Sequence, residues 1–306
     1  MISFKEDHIS QIPALLMLEK LGYTYLTPDE ALALRGGNLA NVLLEPVLRK
    51  QLAAINVVQV SSVRTTVFSE QNITAGIDAL RNIPMDEGFM EASQTVYDLL
   101  TSGKTLEQIV DGDRKSFVMQ YIDWKNPRNN VFHVTEEFAV SRTGMTETYR
   151  PDIVLFVNGI PLCVIECKRP DVKDSIEQAI SQHLRNQKAD GIRSLYLYST
   201  LLLAINRQEG SYATTATPEK FWARWREQFA DREEEARYRQ ELERVVNEPL
   251  LDDKLFGERF GYVRRNFEEL YRQPVTPSVQ DEYLCNLCRP ERLLQLMYGF
   301  TLYDDG

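Results

Sequence analysis

An aspartate, a glutamate and a lysine lie in and around two apolar segments between positions 151 and 170, PDIVLFVNGIPLCVIECKRP. They are Asp152, Glu166 and Lys168. Charged side chains are costly to bury unless they are paired or bind a metal. Two carboxylates and a lysine at the end of a short hairpin suit phosphodiester hydrolysis, because carboxylate oxygens bind Mg²⁺ and a bound metal activates water.

The two carboxylates are the predicted metal ligands. Asp152 and Glu166 would hold Mg²⁺ with help from the backbone carbonyl of Cys167 and from water molecules. Lys168 would orient or deprotonate the attacking water, or stabilise charge on the phosphorane. The alternative for an isolated Glu-x-Lys pattern is a surface ion pair between Glu166 and Lys168, although the preceding Pro-Asp makes the pattern more specific.

Whether Asp152 reaches Glu166 depends on the turn at Asn158-Gly159. Alternate residues of a strand share a face. A two-residue loop would pair Asp152 with Ile165, which points to the opposite face. A three-residue loop with a glycine bulge would instead pair Asp152 with Val164, on the face of Glu166. A site that uses both carboxylates therefore predicts the bulged loop, or an equivalent bulge elsewhere in the hairpin.

The segments around this hairpin predict an α/β fold. From about residue 116 to 206, β-branched and aromatic runs alternate with Asn-Pro, Gly and Asn-Gly turns, which predicts the strands of a sheet. A helix is predicted at about 174–187 from apolar residues at positions i, i+4 and i+8. Residues 194–206, SLYLYSTLLLAIN, predict two more strands with a break near Ser199. Together these elements imply a mixed central sheet flanked by helices.

The rest of the chain is predicted to be mostly helical. The first 110 residues look largely helical with short extended pieces. Thr217-Pro218-Glu219 is typical of a helix start, and the charged run that follows predicts one long amphipathic helix to about residue 246. We therefore expect one domain over residues 1–225 and a helical extension over residues 226–306.

The net charge of −10 argues against a surface that binds nucleic acid everywhere, because affinity for phosphate comes from lysine and arginine. A local basic groove is still compatible with this charge. Four basic residues cluster around and after the charged hairpin and are candidate phosphate contacts: Arg169, Lys173, Arg185 and Lys188.

The four cysteines are too few for a disulfide framework. Cys285 and Cys288 form a lone Cys-x-x-Cys pair, which would need further ligands to hold zinc. Reduced thiols are the alternative. No apolar run approaches the roughly 20 residues that span a bilayer, and the start MISFKEDHIS lacks a signal-peptide pattern. We expect a soluble, cytoplasmic protein.

A longer span of the sequence resembles a known family. The segments IDWKNPRNNVFHVTEEF, YRPDIVLFVNGIPLCVIECKRP and LYLYSTLLLAINRQEGSYATTATPEKFWARW, in this order and spacing, resemble the amino-terminal nuclease region of the R subunit of type I restriction enzymes. The resemblance covers residues 116–226 closely and the helical ends more loosely. It implies a nuclease fold of the PD-(D/E)xK superfamily, whose motif falls on Asp152, Glu166 and Lys168.

The resemblance also implies further site residues. The superfamily usually adds a Gln-x-x-x-Tyr motif on the following helix, thought to act with the catalytic cluster and the DNA. The best match is Gln182, with Asn186 where the tyrosine is expected, and Gln178 is a rival one turn earlier. This departure leaves open which residue takes the place of the tyrosine. Glu19 and Glu6 are candidates for an acidic residue near the metal, with solvated helix charge as the alternative.

The resemblance implies a Mg²⁺-dependent endonuclease that cuts double-stranded DNA together with modification and specificity subunits. The family's R subunit is an ATP-driven translocase, but this chain contains no phosphate-binding loop or helicase acidic motif. We therefore expect a nuclease module without the motor domains that use ATP, or a stand-alone relative. The alternative is a non-catalytic docking or DNA-holding module that keeps the nuclease fold, with its carboxylates too far apart or too blocked to share a metal.

Overall fold

The computed structural model describes residues 10–61, 64–249 and 254–301. Its strands, in chain order, are β1 (Thr24–Tyr25), β2 (Val57–Ser61), β3 (Arg64–Val67), β4 (Lys104–Val110), β5 (Asp113–Met119), β6 (Phe132–Glu136), β7 (Val140–Ser141), β8 (Thr148–Tyr149), β9 (Ile153–Val157), β10 (Ile160–Cys167), β11 (Leu201–Ile205) and β12 (Gly210–Ala213).

The helices are α1 (Ile12–Lys20), α2 (Pro28–Ala33), α3 (Glu45–Ile55), α4 (Glu70–Arg81), α5 (Phe89–Ser102), α6 (Ser175–Asn186), α7 (Arg193–Tyr196), α8 (Arg232–Asn247), α9 (Arg264–Leu270), α10 (Val279–Tyr283) and α11 (Pro290–Phe300). Short 3₁₀ or π-type turns also form, including Leu255–Arg259 and Leu284–Cys288. Within the first 110 residues, which were expected to be largely helical with short extended pieces, the structure has the helices α1 to α5 and the strands β1 to β4.

A six-stranded mixed sheet lies at the centre, in the order β1-β6-β9-β10-β11-β12. The pairs β1–β6 and β10–β11 are parallel, and the other neighbours are antiparallel. All residues of β9 and β10 are buried, as expected for central strands that are covered on both faces. The predicted α/β architecture, a mixed sheet flanked by helices, is confirmed.

Different helices cover the two faces of this sheet. On one face, α6 packs Ile176, Ala179 and Ile180 against Ala204 of β11. On the other face, the C-terminal helices pack near Cys163 of β10, whose thiol contacts Cys288. Residues from α8 to α11 belong to the same hydrophobic core as α1 and the sheet.

The sheet differs in extent from the predicted core at 116–206. It also includes β1 and β12, which lie outside that range. In contrast, β5 pairs with β4 in a separate two-stranded ribbon. The domain boundary at residue 225 stays a prediction.

The prediction of two strands in residues 194–206 was half wrong. β11 forms as expected, but the first half contains the short helix α7. The four residues 195–198 are all buried, and a fully buried apolar run of this length fits a helix as well as a strand. Ser199 Oγ donates a hydrogen bond to the Leu195 carbonyl, which helps to close the end of the helical turn.

The long helix predicted from Thr217 begins later in the structure. After Pro218 there is only a 3₁₀ turn, and Ala223 then pairs with Tyr212 as an isolated bridge. Helix α8 starts after Asp231, whose side chain accepts hydrogen bonds from the backbone N–H groups of residues 233 and 234. This cap, and not the Thr-Pro-Glu signal, sets the start of the helix.

No helix in the described ranges is long and apolar enough to cross a bilayer.

Candidate active site

The hairpin of β9 and β10 contains a bulge, but not in its turn. Val157 pairs with Ile160, so the loop is the two-residue Asn158-Gly159, with positive φ values of 52° and 84°. The predicted three-residue loop was therefore wrong. These positive φ values are typical of the tight turn that matches the twist of a hairpin.

The extra residue lies within the strand instead. The register between β9 and β10 shifts between Pro161 and Cys163. Beyond this bulge Ile165 pairs with Ile153, so the next position along places Asp152 opposite Glu166. The equivalent bulge that a two-carboxylate site requires is therefore present.

The backbone and Lys168 hold the carboxylate of Asp152. The backbone N–H of Cys167 donates to Asp152 Oδ2 at 2.7 Å, and the Lys168 Nζ atom lies 3.5 Å from the same oxygen. The Gln11 side chain, just before α1, donates to the Asp152 backbone carbonyl at 2.9 Å. Two separate segments of the chain, at the end of β10 and just before α1, thus position Asp152.

Gln182, and not Gln178, contacts the cluster. Gln182 Nε2 donates to Glu166 Oε2 at 2.6 Å. Gln178 is exposed and donates to the backbone carbonyl of Lys173 instead. Because α6 packs on the face of the sheet that carries Glu166, the inward side of this helix brings Gln182 to the carboxylate.

Burial raises the pKa of both carboxyl groups. Glu166 is 0% exposed, and its pKa lies well above the usual range because of burial first and the neighbouring Asp152 carboxyl second. Burial also raises the pKa of Asp152, while Lys168 and the Cys167 N–H act in the opposite direction. Asp152 thus disfavours a charge on Glu166, whereas a side-chain hydrogen bond with Glu166 lowers the pKa of Asp152.

One buried oxygen of the cluster has no hydrogen-bond partner. Glu166 Oε1 is buried, and no donor in the described part of the chain reaches it. The side chains and the backbone N–H that contact the two carboxylates reach Glu166 Oε2 and Asp152 Oδ2 instead. An unsatisfied buried acceptor is costly, and a hard divalent cation would satisfy it.

The donor set suits a cation that keeps several water ligands. The described residues contain no group of three or more His, Cys, Asp and Glu side chains placed to hold a metal ion. Mg²⁺ is commonly bound by one or two carboxylates plus water and substrate phosphate, which matches the pair Asp152 and Glu166. The role of the Cys167 carbonyl as a third ligand stays a prediction.

A buried polar network surrounds Asn186, the position at which the motif expects a tyrosine. His183 Nε2 lies 2.9 Å from the Leu203 carbonyl, which can only accept, so this nitrogen carries the proton. His183 Nδ1 then accepts from the Tyr196 hydroxyl at 2.9 Å. The side-chain amide of Asn186 donates to the same hydroxyl at 3.4 Å. The phenol that contacts Asn186 belongs to Tyr196 of α7, ten residues further along the chain.

Sequence reasoning missed Tyr196 and His183. His183 lies inside the Gln-x-x-x-Tyr match and could have been noticed there. Nothing in the sequence indicated Tyr196, because the segment around it was interpreted as a strand.

Arg185 is the candidate phosphate contact that the structure brings to the cluster. The positive charge of Arg185 lowers the pKa of Glu166, against the effect of burial. Arg185 therefore lies near that carboxylate. Its guanidinium lies 4.3 Å from the centre of the Tyr149 ring and donates to Asn186 Oδ1 at 3.0 Å. The network around Tyr196 therefore helps to position Arg185.

The other basic candidates are not part of the cluster. Arg169 forms an ion pair with Asp171 in the exposed loop after β10. Lys173 lies 3.9 Å from Asp174, and Lys188 is exposed after α6.

Neither candidate for an additional acidic residue, Glu19 or Glu6, is placed in the cluster by the described structure. Glu19 lies close to Tyr25, whose hydroxyl donates to Glu136. Glu136 pairs with Ile153 and so shares its face, opposite to that of Asp152. Glu19 is therefore not in the cluster. Glu6 lies outside the described residues.

Comparison with known proteins gives a consistent family. The family model for the type I restriction enzyme R protein N terminus matches residues 3–221. The type I restriction enzyme HindI endonuclease subunit of Haemophilus influenzae is 29% identical over 206 residues, 65% of this chain and 18% of that protein. The "Putative type I restriction enzyme MjaIXP endonuclease subunit" of Methanocaldococcus jannaschii is 27% identical over 228 residues, 72% of this chain and 20% of that protein.

The chain thus spans at most about a fifth of the length of these curated relatives. The match to the family model extends over most of the chain, including β9, β10 and α6. The chain therefore belongs to the family of type I restriction enzyme R protein N-terminal regions.

Proposed function

We propose that this chain is a Mg²⁺-dependent endonuclease module of the PD-(D/E)xK superfamily, which hydrolyses phosphodiester bonds in double-stranded DNA. The observation that carries this proposal is the bulge in β10, which places Asp152 opposite Glu166 and leaves one buried Glu166 oxygen without a donor. Membership of the restriction enzyme family supports the same chemistry.

Asp152 and Glu166 would hold the metal through the oxygens that no donor occupies, with the Cys167 carbonyl as a further ligand. When bound there, Mg²⁺ would polarise the scissile phosphate and lower the pKa of a water molecule. Lys168, held beside Asp152, would orient or deprotonate that water, or stabilise the negative charge that develops on the phosphorus centre. Gln182 acts as a positioning residue, because its amide fixes the orientation of the Glu166 carboxylate.

The alternative, a docking or DNA-holding module without catalysis, fits the cluster less well. That function predicts carboxylates that are too far apart or blocked. Instead, Asp152 is the second cause of the raised pKa of Glu166, so the two groups interact directly. The acidic face of α8, with exposed Glu233 and Glu234, is compatible with docking. An exposed charged helix face also forms without any docking partner.

The partners of the module follow from its family and are part of the proposal. We place it in an R subunit that acts with modification and specificity subunits, as the family's enzymes do. ATP use would belong to motor domains outside this chain. Arg185 is the residue of this chain that we assign to the DNA backbone close to the cut.

Metal binding tests the site most directly. Calorimetric titration of the chain with Mg²⁺ or Mn²⁺ should give saturable heat, and Glu166→Gln should abolish it. Glu177→Gln is the matched control, because Glu177 is an exposed glutamate on α6. Equal heats for the wild-type chain and Glu166→Gln would disprove the assignment.

Cleavage tests the activity. With plasmid DNA and Mn²⁺, Asp152→Ala and Glu166→Gln should each lower the rate by about a hundredfold or more, whereas Glu177→Gln should cut like the wild type. Cleavage by the wild type that persists in both site variants would assign the activity to another part of the chain or to a contaminant.

A further inference from the structure

A second polar cavity lies beside the segment that follows β6. Its volume is about 400 Å³. Its lining includes Leu32, Arg35, Phe138, Arg150 and Arg259. The cavity is separate from the carboxylate cluster in its lining, although it adjoins the same end of the sheet.

Arg35 is buried in the wall of this cavity without a carboxylate partner. It is 3% exposed. One terminal nitrogen donates to the carbonyls of Asn41 and Ala139, at 3.2 and 3.0 Å. The guanidinium stacks on the Phe138 ring at 4.0 Å. Among the described residues no carboxylate forms an ion pair with Arg35, and its Nε atom is buried with no hydrogen-bond partner.

This environment leaves a positive charge uncompensated. Burial alone lowers the pKa of Arg35 to about 10, so the group is still charged at neutral pH. A buried charge is expensive unless an opposite charge or a strong set of hydrogen bonds compensates it. Two carbonyls and one ring supply only part of that compensation.

Arg150 adds a second guanidinium with no ion pair in the described structure. It is exposed at the cavity mouth. Arg259, in contrast, is paired with Glu136 at 2.7 Å. The carboxylates of Asp29 and Glu137 also line the cavity, but neither forms an ion pair with Arg35 or Arg150. The cavity therefore offers two arginines whose charges are not used within the described protein.

We propose that this cavity binds a phosphate-type oxyanion, with Arg35 and Arg150 as its two cationic ligands. The planar guanidinium matches the geometry of phosphate oxygens better than any other side chain. The cavity volume suits a phosphate group or a small phosphate compound. The inference goes beyond the proposed function, because the cavity can bind its anion whether or not the carboxylate cluster cuts DNA.

The position of the cavity allows two sources for that phosphate. Arg150 precedes Asp152 by two residues, and Phe138 N–H donates to the Pro151 carbonyl. A DNA backbone at the carboxylate cluster could thus place a neighbouring phosphate in the cavity. A free phosphate compound is the other source, and the two are separated by experiment.

Calorimetric titration with pyrophosphate, in EDTA so that no metal takes part, tests the cavity. The wild-type chain should bind it saturably. Arg150→Ala should weaken binding by about tenfold, the typical effect of one charged hydrogen bond. Arg35→Lys should weaken it comparably, with circular dichroism to check the fold. Arg237→Ala, at an exposed arginine on α8, is the matched control and should bind like the wild type.

A second titration identifies the source of the phosphate. A short DNA duplex that competes with pyrophosphate, and binds more weakly to Arg150→Ala, supports a backbone phosphate as the ligand. Pyrophosphate binding without such competition supports a free phosphate compound. Binding of both ligands that is unaffected by Arg150→Ala and Arg35→Lys overturns the proposal, and so does pyrophosphate binding that depends on Lys168, tested with Lys168→Ala. Neither of these two results would alter the metal titrations of the wild-type chain and Glu166→Gln, which test the proposed function separately.

Discussion

At the scale of single residues, the environment of a carboxylate matters as much as its position in a motif. Asp152, Glu166 and Lys168 were predicted from residue type and spacing, Gln182 was implied by the family resemblance, and the structure brings all four together. The sequence did not reveal that Glu166 is fully buried with one unsatisfied oxygen. Burial depends on which helices cover the sheet, and a local motif carries little information about that.

The same limit explains why the network behind α6 was missed. The Tyr196 hydroxyl reaches His183 from a different helix, so no fixed spacing on α6 could have indicated it. Once the fold is known, the hydrogen-bond directions define one tautomer of His183, with the proton on Nε2.

This tautomer gives a pH prediction for His183. Burial lowers its pKa from 6.5 to about 4, so the folded state favours the neutral ring. The resulting stability is fully present above about pH 6.5 and is lost as the pH falls toward about 4. The loss should reach about 3 kcal/mol in the free energy of unfolding.

Nuclear magnetic resonance of the imidazole nitrogens checks this prediction. His183, assigned with the His183→Gln variant, should remain the neutral Nε2–H form at pH 6. In urea unfolding, His183→Gln should lose less stability than the wild type between pH 6.5 and 4. An imidazole that titrates near its ordinary pKa would contradict the prediction that burial lowers the pKa of His183.

At the scale of elements, the hairpin shows what the sequence specifies and what it does not. The alternation of side chains required one extra residue between Asp152 and Glu166, and that requirement was correct. Its location was wrong, because Asn158-Gly159 forms a regular two-residue turn and the bulge lies near Leu162. A run of buried apolar residues contains no signal for a bulge, whereas Asn-Gly is a strong signal for a turn.

The turn is held by a close contact with the rest of the protein. Gly159 has a φ of 84°, and a Cβ atom there would lie 2.6 Å from the Leu44 carbonyl oxygen. The Leu44 N–H also donates to the Gly159 carbonyl. The Asn158 side chain donates to the Tyr121 carbonyl and accepts from the Val131 N–H. The turn therefore fixes the hairpin against the start of α3.

Gly159→Ala should destabilise the protein by about 2–4 kcal/mol, from left-handed strain plus a backbone clash. The matched control is Gly112→Ala, in the turn of the β4–β5 ribbon, where φ is 87° but a Cβ atom would meet nothing within 4 Å. That variant should lose only the strain contribution, about 1 kcal/mol. Urea unfolding of both variants measures the difference, and equal losses would show that the Leu44 contact contributes nothing.

At the scale of the whole molecule, the C-terminal helices are part of the support for the sheet. Gln280 of α10 and Ser10 exchange hydrogen bonds, and Tyr23 donates to the Cys288 carbonyl. Arg259 pairs with the buried carboxylate of Glu136. The sequence predicted helices in this region, but their packing against β10 depends on contacts between residues more than 100 positions apart. Such contacts are not visible in local patterns.

This packing predicts that the chain truncated after residue 225 does not fold as an independent domain. The truncation removes fully or largely buried core residues from α8 onward, among them Leu242, Val245, Phe256, Leu284, Leu287 and Leu293. Each buried side chain of this kind contributes about 1.5–3 kcal/mol, so the loss of six of them matches or exceeds the roughly 5–15 kcal/mol by which whole domains are stable.

The truncated chain should bind a hydrophobic dye and unfold without a cooperative transition in circular dichroism. The chain ending at residue 301, which keeps α11 intact, is the control and should unfold cooperatively like the full chain. A cooperative transition in the truncated chain, at a urea midpoint close to that of the control, would contradict this prediction. It would show that residues 1–225 form a domain that needs no helical cover on the face of Cys163.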